Sequence, residues 1–349
     1  MSEQTKGGTG GCLAFRLFLV VLAGLLLLGP VLGRASAVTV VPVGRAVGIK
    51  LFSDGVVVVG TSEVVTQDGA VNPAKACGLQ EGDIITHINT TEVDTIEEVT
   101  ALLQQAEDAP ISIRALREEE SVELTAQAAL CAADGCYKLG AWIRDSMAGI
   151  GTVTFYCPDT GAFGALGHGI NDVDTALLMP LERGSILSAS VSGVVKGKSG
   201  APGQLRGVFD LDTTLGELRS NTADGIYGVM SGAAAWQGEE MEVAPREAVR
   251  AGNATILSNI AGDKVEEYAI QIVKVYPAGE SDCRDFLIRV TDQRLLSATG
   301  GIVQGMSGSP ILQDGRVVGA VTHVMVDDPT SGYGIYAGRM LEQAQAALG

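Results

Sequence analysis

Six residues near the C-terminal end, Gly305-Met306-Ser307-Gly308-Ser309-Pro310, set a serine among small neighbours just ahead of a proline. On such a tight turn a hydroxyl and the adjacent backbone N–H groups stay open to an approaching carbonyl. The chemistry this suits is acyl transfer, with Ser307 as nucleophile and the N–H groups of Gly305 and Ser307 as oxyanion donors, each such donor typically worth about 3 kcal/mol in the barrier. Ser309 is the rival hydroxyl, although it directly precedes Pro310. A plain Gly/Ser/Pro hairpin turn is the alternative reading of the same residues.

A serine needs a base to lose its proton near neutral pH. The chain has three histidines, His87, His168 and His323. His87 falls in a predicted strand and reads as structural. His168 lies in Ala165-Leu166-Gly167-His168-Gly169-Ile170, where flanking glycines let other groups come close; it is the leading base, with His323 as rival. A carboxylate that fixes the imidazole tautomer would complete a triad. Asp292 lies after the predicted strand Phe286 to Val290 and ahead of the serine turn; Asp172, Asp174, Asp210 and Asp212 compete with it. Spacing does not choose among them.

Two other constellations carry less. Gly193-Val194-Val195-Lys196-Gly197-Lys198-Ser199 has three residues between its glycines where a phosphate-binding loop has four, and Gly200, Pro202 and Gly203 follow in place of a helix. It reads as a mobile basic loop, a candidate for processing or substrate contact. Cys131 and Cys136 are too loosely spaced for a zinc knuckle and lack paired histidines, so a local disulfide or buried thiols are expected, with no metal and no cofactor.

These residues need elements to hold them. Asp54-Gly55 before Val56 to Val59 predicts a hairpin turn into a strand. Asn72-Pro73 and Gly78 bracket a one-turn helix. Thr95 and Glu98 form a capping box ahead of Ile96, Val99, Leu102 and Leu103, which share one helical face. Two alternating strands, around Ile111 to Ala115 and Val122 to Ala126, flank the acidic turn Glu118 to Glu120. From Leu139 onward short β-branched runs recur at Gly151 to Tyr156, Ile186 to Val195, Ala269 to Tyr276, Phe286 to Val290 and Val317 to His323, and a helix is expected only over Gly338 to Leu348. That pattern predicts a barrel or sandwich.

The 349 residues exceed a usual single domain, and 46% hydrophobic residues with 46 glycines describe a globular, turn-rich chain. A formal charge of −17 argues against nucleic acid as a partner, since that binding needs clustered Lys and Arg. Lys6 and Arg16 precede the apolar run Leu17 to Leu32, and Ala35-Ser36-Ala37 follows as a small-x-small site, so export is expected; a cleaved signal and a retained membrane anchor both fit.

Two family resemblances organise these signals. Val47 to Ala128 resembles a PDZ domain, on Gly48-Ile49-Lys50-Leu51 as carboxylate-binding loop, Ala76-Cys77-Gly78-Leu79 with Glu81-Gly82-Asp83-Ile84-Ile85 as central signature, and the helix from Thr95 as groove wall; Lys50 replaces the second glycine of the usual loop. The serine turn is similar to Gly-Asp-Ser-Gly-Gly-Pro of chymotrypsin-like peptidases, with Met306 in place of the aspartate that a freed N-terminus would pair. More specifically, the leader, the PDZ-like unit, Gly167-His168-Gly169-Ile170, Gly300 to Pro310 and Thr322-His323-Val324 with Asp328 to Gly334 together look like the SpoIVB (stage IV sporulation protein B) peptidase family.

The resemblance implies a mainly β chain: a signal or anchor over 1–37, a β lead-in and PDZ-like α+β domain over 38–128, and a chymotrypsin-like double β-barrel serine peptidase domain over 129–349. It implies Ser307 as nucleophile, His168 as base and Asp292 as its partner. It further implies export to the space between forespore and mother-cell membranes. There the protein would cleave itself and a membrane-bound regulatory protein, so that a late sigma factor becomes active. The alternative is a catalytically inert PDZ-containing scaffold at the membrane surface.

Overall fold

The hairpin turn expected at Asp54-Gly55 is replaced by a strand that runs straight through it. The computed structural model describes residues 38–349 except 119, 232–235, 237 and 280–282; the leader expected over 1–37 lies outside the described residues. Ala46–Thr61 is one continuous strand, β1. Gly55 takes a φ of +83° and its N–H donates to Asp94, but β1 keeps strand partners before and after this point. Pairing with strands distant in sequence outweighs the local turn preference of Asp-Gly.

The smaller elements follow their local signals. Helix α1, Pro73–Cys77, is capped by the Asn72 side chain, which accepts from the Lys75 N–H, and by Gly78 at a left-handed φ of +89°. Strand β2 is Ile84–Ile88. Helix α2, Ile96–Ala106, starts with the complete Thr95/Glu98 capping box. Strands β3, Pro110–Arg117, and β4, Glu120–Gln127, form a hairpin whose alternation puts Ile111, Ile113 and Ala115 inside. Ile111 and Ile113 build one core with Val56, Val58, Ile85, Val99 and Leu103.

Beyond it come β5 (Ala141–Tyr156), β6 (Ala162–Ala165), β7 (Arg183–Val195), β8 (Gln204–Thr222) and β9 (Gly225–Met230). Pairings β1–β5, β5–β6, β6–β9, β9–β8, β8–β7 and β7–β1 close them into a ring with β1. The second barrel is closed by β10 (Gly252–Ala261), β11 (Lys264–Val275), β12 (Phe286–Val290), β13 (Pro310–Gln313), β14 (Arg316–Val324) and β15 (Ser331–Tyr336). Helix α3, Gln293–Thr299, leaves β12 and leads toward the serine turn. Ile256, Tyr268, Ile270, Ile272, Phe286 and Ile288 fill this barrel.

Helix α4, Ala337–Ala346, seals the seam: Met340, Leu341 and Ala344 join Phe155, Ala162 and Tyr227 of the first barrel to Val317, Ala320 and Ile335 of the second. Arg339 adds an ion pair to Asp224, in the β8–β9 turn. The fold is thus mainly β, a PDZ-type unit with a double barrel. The boundary differs in kind from a cut at 128. The N-terminal half of β1 closes the first barrel while Val56 and Val57 pair with β2, so the two units share a strand, and Thr39–Gly349 forms one compact unit. Cys131 and Cys136 are thiols, joined through backbone only. No helix among the described residues is long and apolar enough to cross a membrane.

Candidate active site

The serine turn is built by glycine and tied to both barrels. Gly305 and Gly308 each sit at φ +97°, and a Cβ on Gly308 would come within 1.9 Å of the Thr152 carbonyl oxygen, so only glycine fits there. Inside the turn, Met306 N–H donates to Val303 O and Ser309 N–H to Met306 O. From β5, Thr152 N–H donates to Ser307 O at 3.0 Å and Thr152 Oγ1 to Gly305 O at 2.7 Å. The N–H groups of Gly305 and Ser307 meet no acceptor among the described residues. These are the two donors the sequence singled out.

Ser307 Oγ donates to the Thr322 carbonyl at 2.6 Å. It lines a cavity of about 440 Å³ shared with His168 and His323. Ser309 is fully buried and bonds to Ser258. His87, in β2, bonds to Thr86 Oγ1 and lines no part of the cavity.

His168 follows a second left-handed turn, with Leu166 at φ +68° and Gly167 at +71°. A Cβ on Gly167 would press to 2.9 Å on Ile335 and Thr322 of the second barrel. His168 Nδ1 lies 2.8 Å from the Gly169 carbonyl. A carbonyl only accepts, so the proton sits on Nδ1 and Nε2 carries a lone pair. Burial lowers the His168 pKa and the Gly169 carbonyl partly offsets this. The His323 ring lies 4.8 Å from that of His168, centroid to centroid. Desolvation first, then the charges of His168 and Arg284, push His323 down to about 4. Although the His323 side chain is exposed to water, the cavity walls crowd it.

The carboxylate expected at Asp292 is elsewhere employed. Asp292 caps α3: Oδ1 accepts from Arg294 N–H at 2.8 Å, and Oδ2 accepts from Arg294 at 2.8 Å and from Ala269 N–H. The Arg294 hydrogen bond, opposed by desolvation, holds its carboxyl down at about 2. Asp292 does not line the cavity and does not orient His168. Asp172 and Asp174 hold Arg144, and Asp210 caps its own bulge through Asp212 and Thr213. Asp212 bonds through its N–H to Asp210. In this structure the orienting acceptor is the Gly169 carbonyl, which no side-chain pattern announces. Among the described residues, no group of three or more His, Cys, Asp or Glu is placed to hold a metal ion.

Gly48, Ile49, Lys50 and Leu51, expected as a carboxylate-binding loop, lie mid-strand in β1, with β5 on one edge and β7 on the other. Their backbone groups are committed to barrel closure, which corrects that expectation. The groove beside α2 is walled instead by Val99, Thr100 and Leu103 and by Lys138 to Ile143, around about 520 Å³. Of these, Ala141 to Ile143 open β5. Over Ala141 to Ile150, β5 pairs with β1 on one edge and with no strand on the other among the described residues, until β6 joins at Val153. That free edge ends at Met147 to Ile150, in the wall of the Ser307 cavity. The Lys196–Lys198 loop is the tip of the β7–β8 hairpin and is docked: Gly197 N–H donates to Thr299 O, Gly200 N–H to Val326 O and Lys196 to Ser297 O.

A PDZ-type unit joined to two barrels that bring a serine and a histidine into one cavity defines a PDZ-bearing serine peptidase. The chain belongs to the SpoIVB peptidase S55 family, whose model matches residues 135–341, and a PDZ domain model matches residues 70–117. It is 38% identical over 66 residues to the zinc metalloprotease RasP of Shouchella clausii (strain KSM-K16), covering 19% of this chain and 16% of that protein. Solved structures similar to it include the PDZ domain of the SdrC-like protein (Lmo2051) from Listeria monocytogenes. That similarity has 20% identity over 26% of this chain and 87% of that one, TM-score 0.21. The active form of the Rv3671c protease from M. tuberculosis is similar at 16% identity over 72% and 85%, TM-score 0.32.

Proposed function

We propose that this chain is an exported serine endopeptidase of sporulation that cleaves itself and a membrane-associated regulatory protein, triggering intercompartmental sigma-factor activation. In this reading Ser307 Oγ turns from the Thr322 carbonyl to His168, whose Nε2 takes its proton as Oγ attacks the scissile carbonyl. The N–H groups of Gly305 and Ser307 receive the oxyanion. His168 then returns the proton to the leaving amine, and water repeats the sequence on the acyl-enzyme. The observation that carries the reading is the joint placement of Ser307, His168 and two unpartnered turn N–H groups at one cavity. Family membership supports the peptidase class; the regulatory protein, the intermembrane location and self-cleavage come from the family resemblance. Substituting Ser307 by Ala is expected to lower cleavage on the order of 10⁶-fold and to abolish self-processing; unchanged processing on an immunoblot rejects the assignment.

The inert-scaffold reading draws on one observation, the hydroxyl of Ser307 resting on Thr322 instead of on a base. Labelling by a fluorophosphonate, lost on His168→Ala, separates the two: a scaffold is never labelled.

A further inference from the structure

The Gly169 carbonyl that keeps the His168 proton on Nδ1 belongs to the first peptide of a hairpin loop, Gly169 to Met179. At its base the loop is held by β8 and the turn after it: Gly169 N–H donates to Ala223 O, and the Asn221 side chain bonds Ile170 and Met179. At its tip Asp172 is buried to 1% exposure. Its Oδ1 accepts from the Asp174 and Thr175 N–H groups and from the Thr175 hydroxyl, which shapes the tip, and its Oδ2 accepts from Arg144 of β5. Arg144 also donates to Asp174 at 2.8 Å. Burial pushes the Asp172 pKa up, but the two N–H groups, the hydroxyl and Arg144 outweigh it and hold the carboxyl below its usual range.

Arg144 is itself fixed. Its backbone pairs with Val57 of β1, and the next residue, Asp145, accepts from Ile96 N–H at the start of α2 at 3.0 Å. Without the guanidinium, the Asp172 carboxylate would be a buried charge with no counter-ion, and the loop would have to open to hydrate it, taking the Gly169 peptide along. On the reading that His168 is the base, we infer that Arg144 is a positioning residue: through Asp172 it holds the Gly169 carbonyl against His168, and so fixes the imidazole tautomer that a triad carboxylate would otherwise fix.

The test uses the full chain carrying Arg144→Met, Arg144→Lys, or Arg144→Met together with Asp172→Asn. The double variant leaves no buried charge and keeps an acceptor for the Asp174 and Thr175 N–H groups, so it folds even where the first does not. Three readouts are taken: the rate of fluorophosphonate labelling at Ser307, thermal unfolding, and NMR of isotope-labelled histidine, with His168 assigned by the signal lost in His168→Gln. The wild-type chain should show His168 in the Nδ1–H form alone. The folded Arg144→Met chains should label about 100-fold more slowly and show His168 exchanging between both tautomers, and Arg144→Lys, which keeps a cation at Asp172, should return both readouts toward wild type. Folded variants that keep the Nδ1–H form overturn the inference, even where labelling slows, because a merely loosened fold would slow it too. A wild-type chain that is never labelled overturns the nucleophile reading instead, and the His168 tautomer in the same variants still decides the role of Arg144.

Discussion

Asp292 and the Ser307–His168 cavity treat polar groups in opposite ways. At Asp292 each carboxylate oxygen is met by an N–H or a guanidinium, and the carboxyl is held at about 2. At the cavity two turn N–H groups stay unpartnered and the two imidazoles are kept toward their neutral forms. A saturated polar group positions its own element; an unsaturated one awaits something else. The contrast teaches that the Asp292 carboxylate serves a helix start, while Ser307 and His168 in the cavity are held by backbone carbonyls.

The strongest way to break this contrast is at the turn itself. Gly308→Ala places a Cβ against the Thr152 carbonyl at a left-handed φ; it should cost about 2 kcal/mol or more in thermal unfolding and abolish fluorophosphonate labelling. Retained labelling would mean that the turn is not the rigid donor cradle described above.

A smaller effect lies in pH. Burial lowers the His168 pKa, and the base works as neutral imidazole, so kcat/KM should be full at pH 7 and fall with acid through a midpoint below 6.5. An ionised carboxylate on His168 would move that midpoint upward, so a midpoint above 6.5 would restore a triad.

Asp292→Asn should do least. Asn caps helices nearly as well as Asp, so activity is expected within about tenfold of wild type, whereas the same change in a catalytic triad typically costs about 10⁴-fold. Asp292→Ala, which removes the cap, should cost about 1 kcal/mol of stability. Steady-state kinetics beside calorimetry on the two variants separates capping from catalysis.

What was legible in the sequence was what is local. Asn72, Gly78 and the Thr95/Glu98 box act on N–H groups within four residues, so α1 and α2 could be read directly. Gly167 and Gly305 announced turns for the same reason. Asp292 was misread because chain order carries no side-chain direction, although an Asp between a strand and Gln293-Arg294 is also a helix-start signal. Asp54-Gly55 and Gly48 to Leu51 were misread because their conformation is set by β5 and β7, strands distant in sequence. The Gly169 and Thr322 carbonyls had no signal at all, since every residue has a carbonyl.

The sharing of β1 sets a rule for dissecting the protein. A fragment beginning at residue 129 would lack the strand that closes the first barrel, leaving the edges of β5 and β7 bare and adhesive. A fragment ending at 128 would keep the N-terminal half of β1 with neither of its barrel partners. A cut that leaves both units whole falls before Thr39, because one strand belongs at once to the PDZ-type unit and to the first barrel.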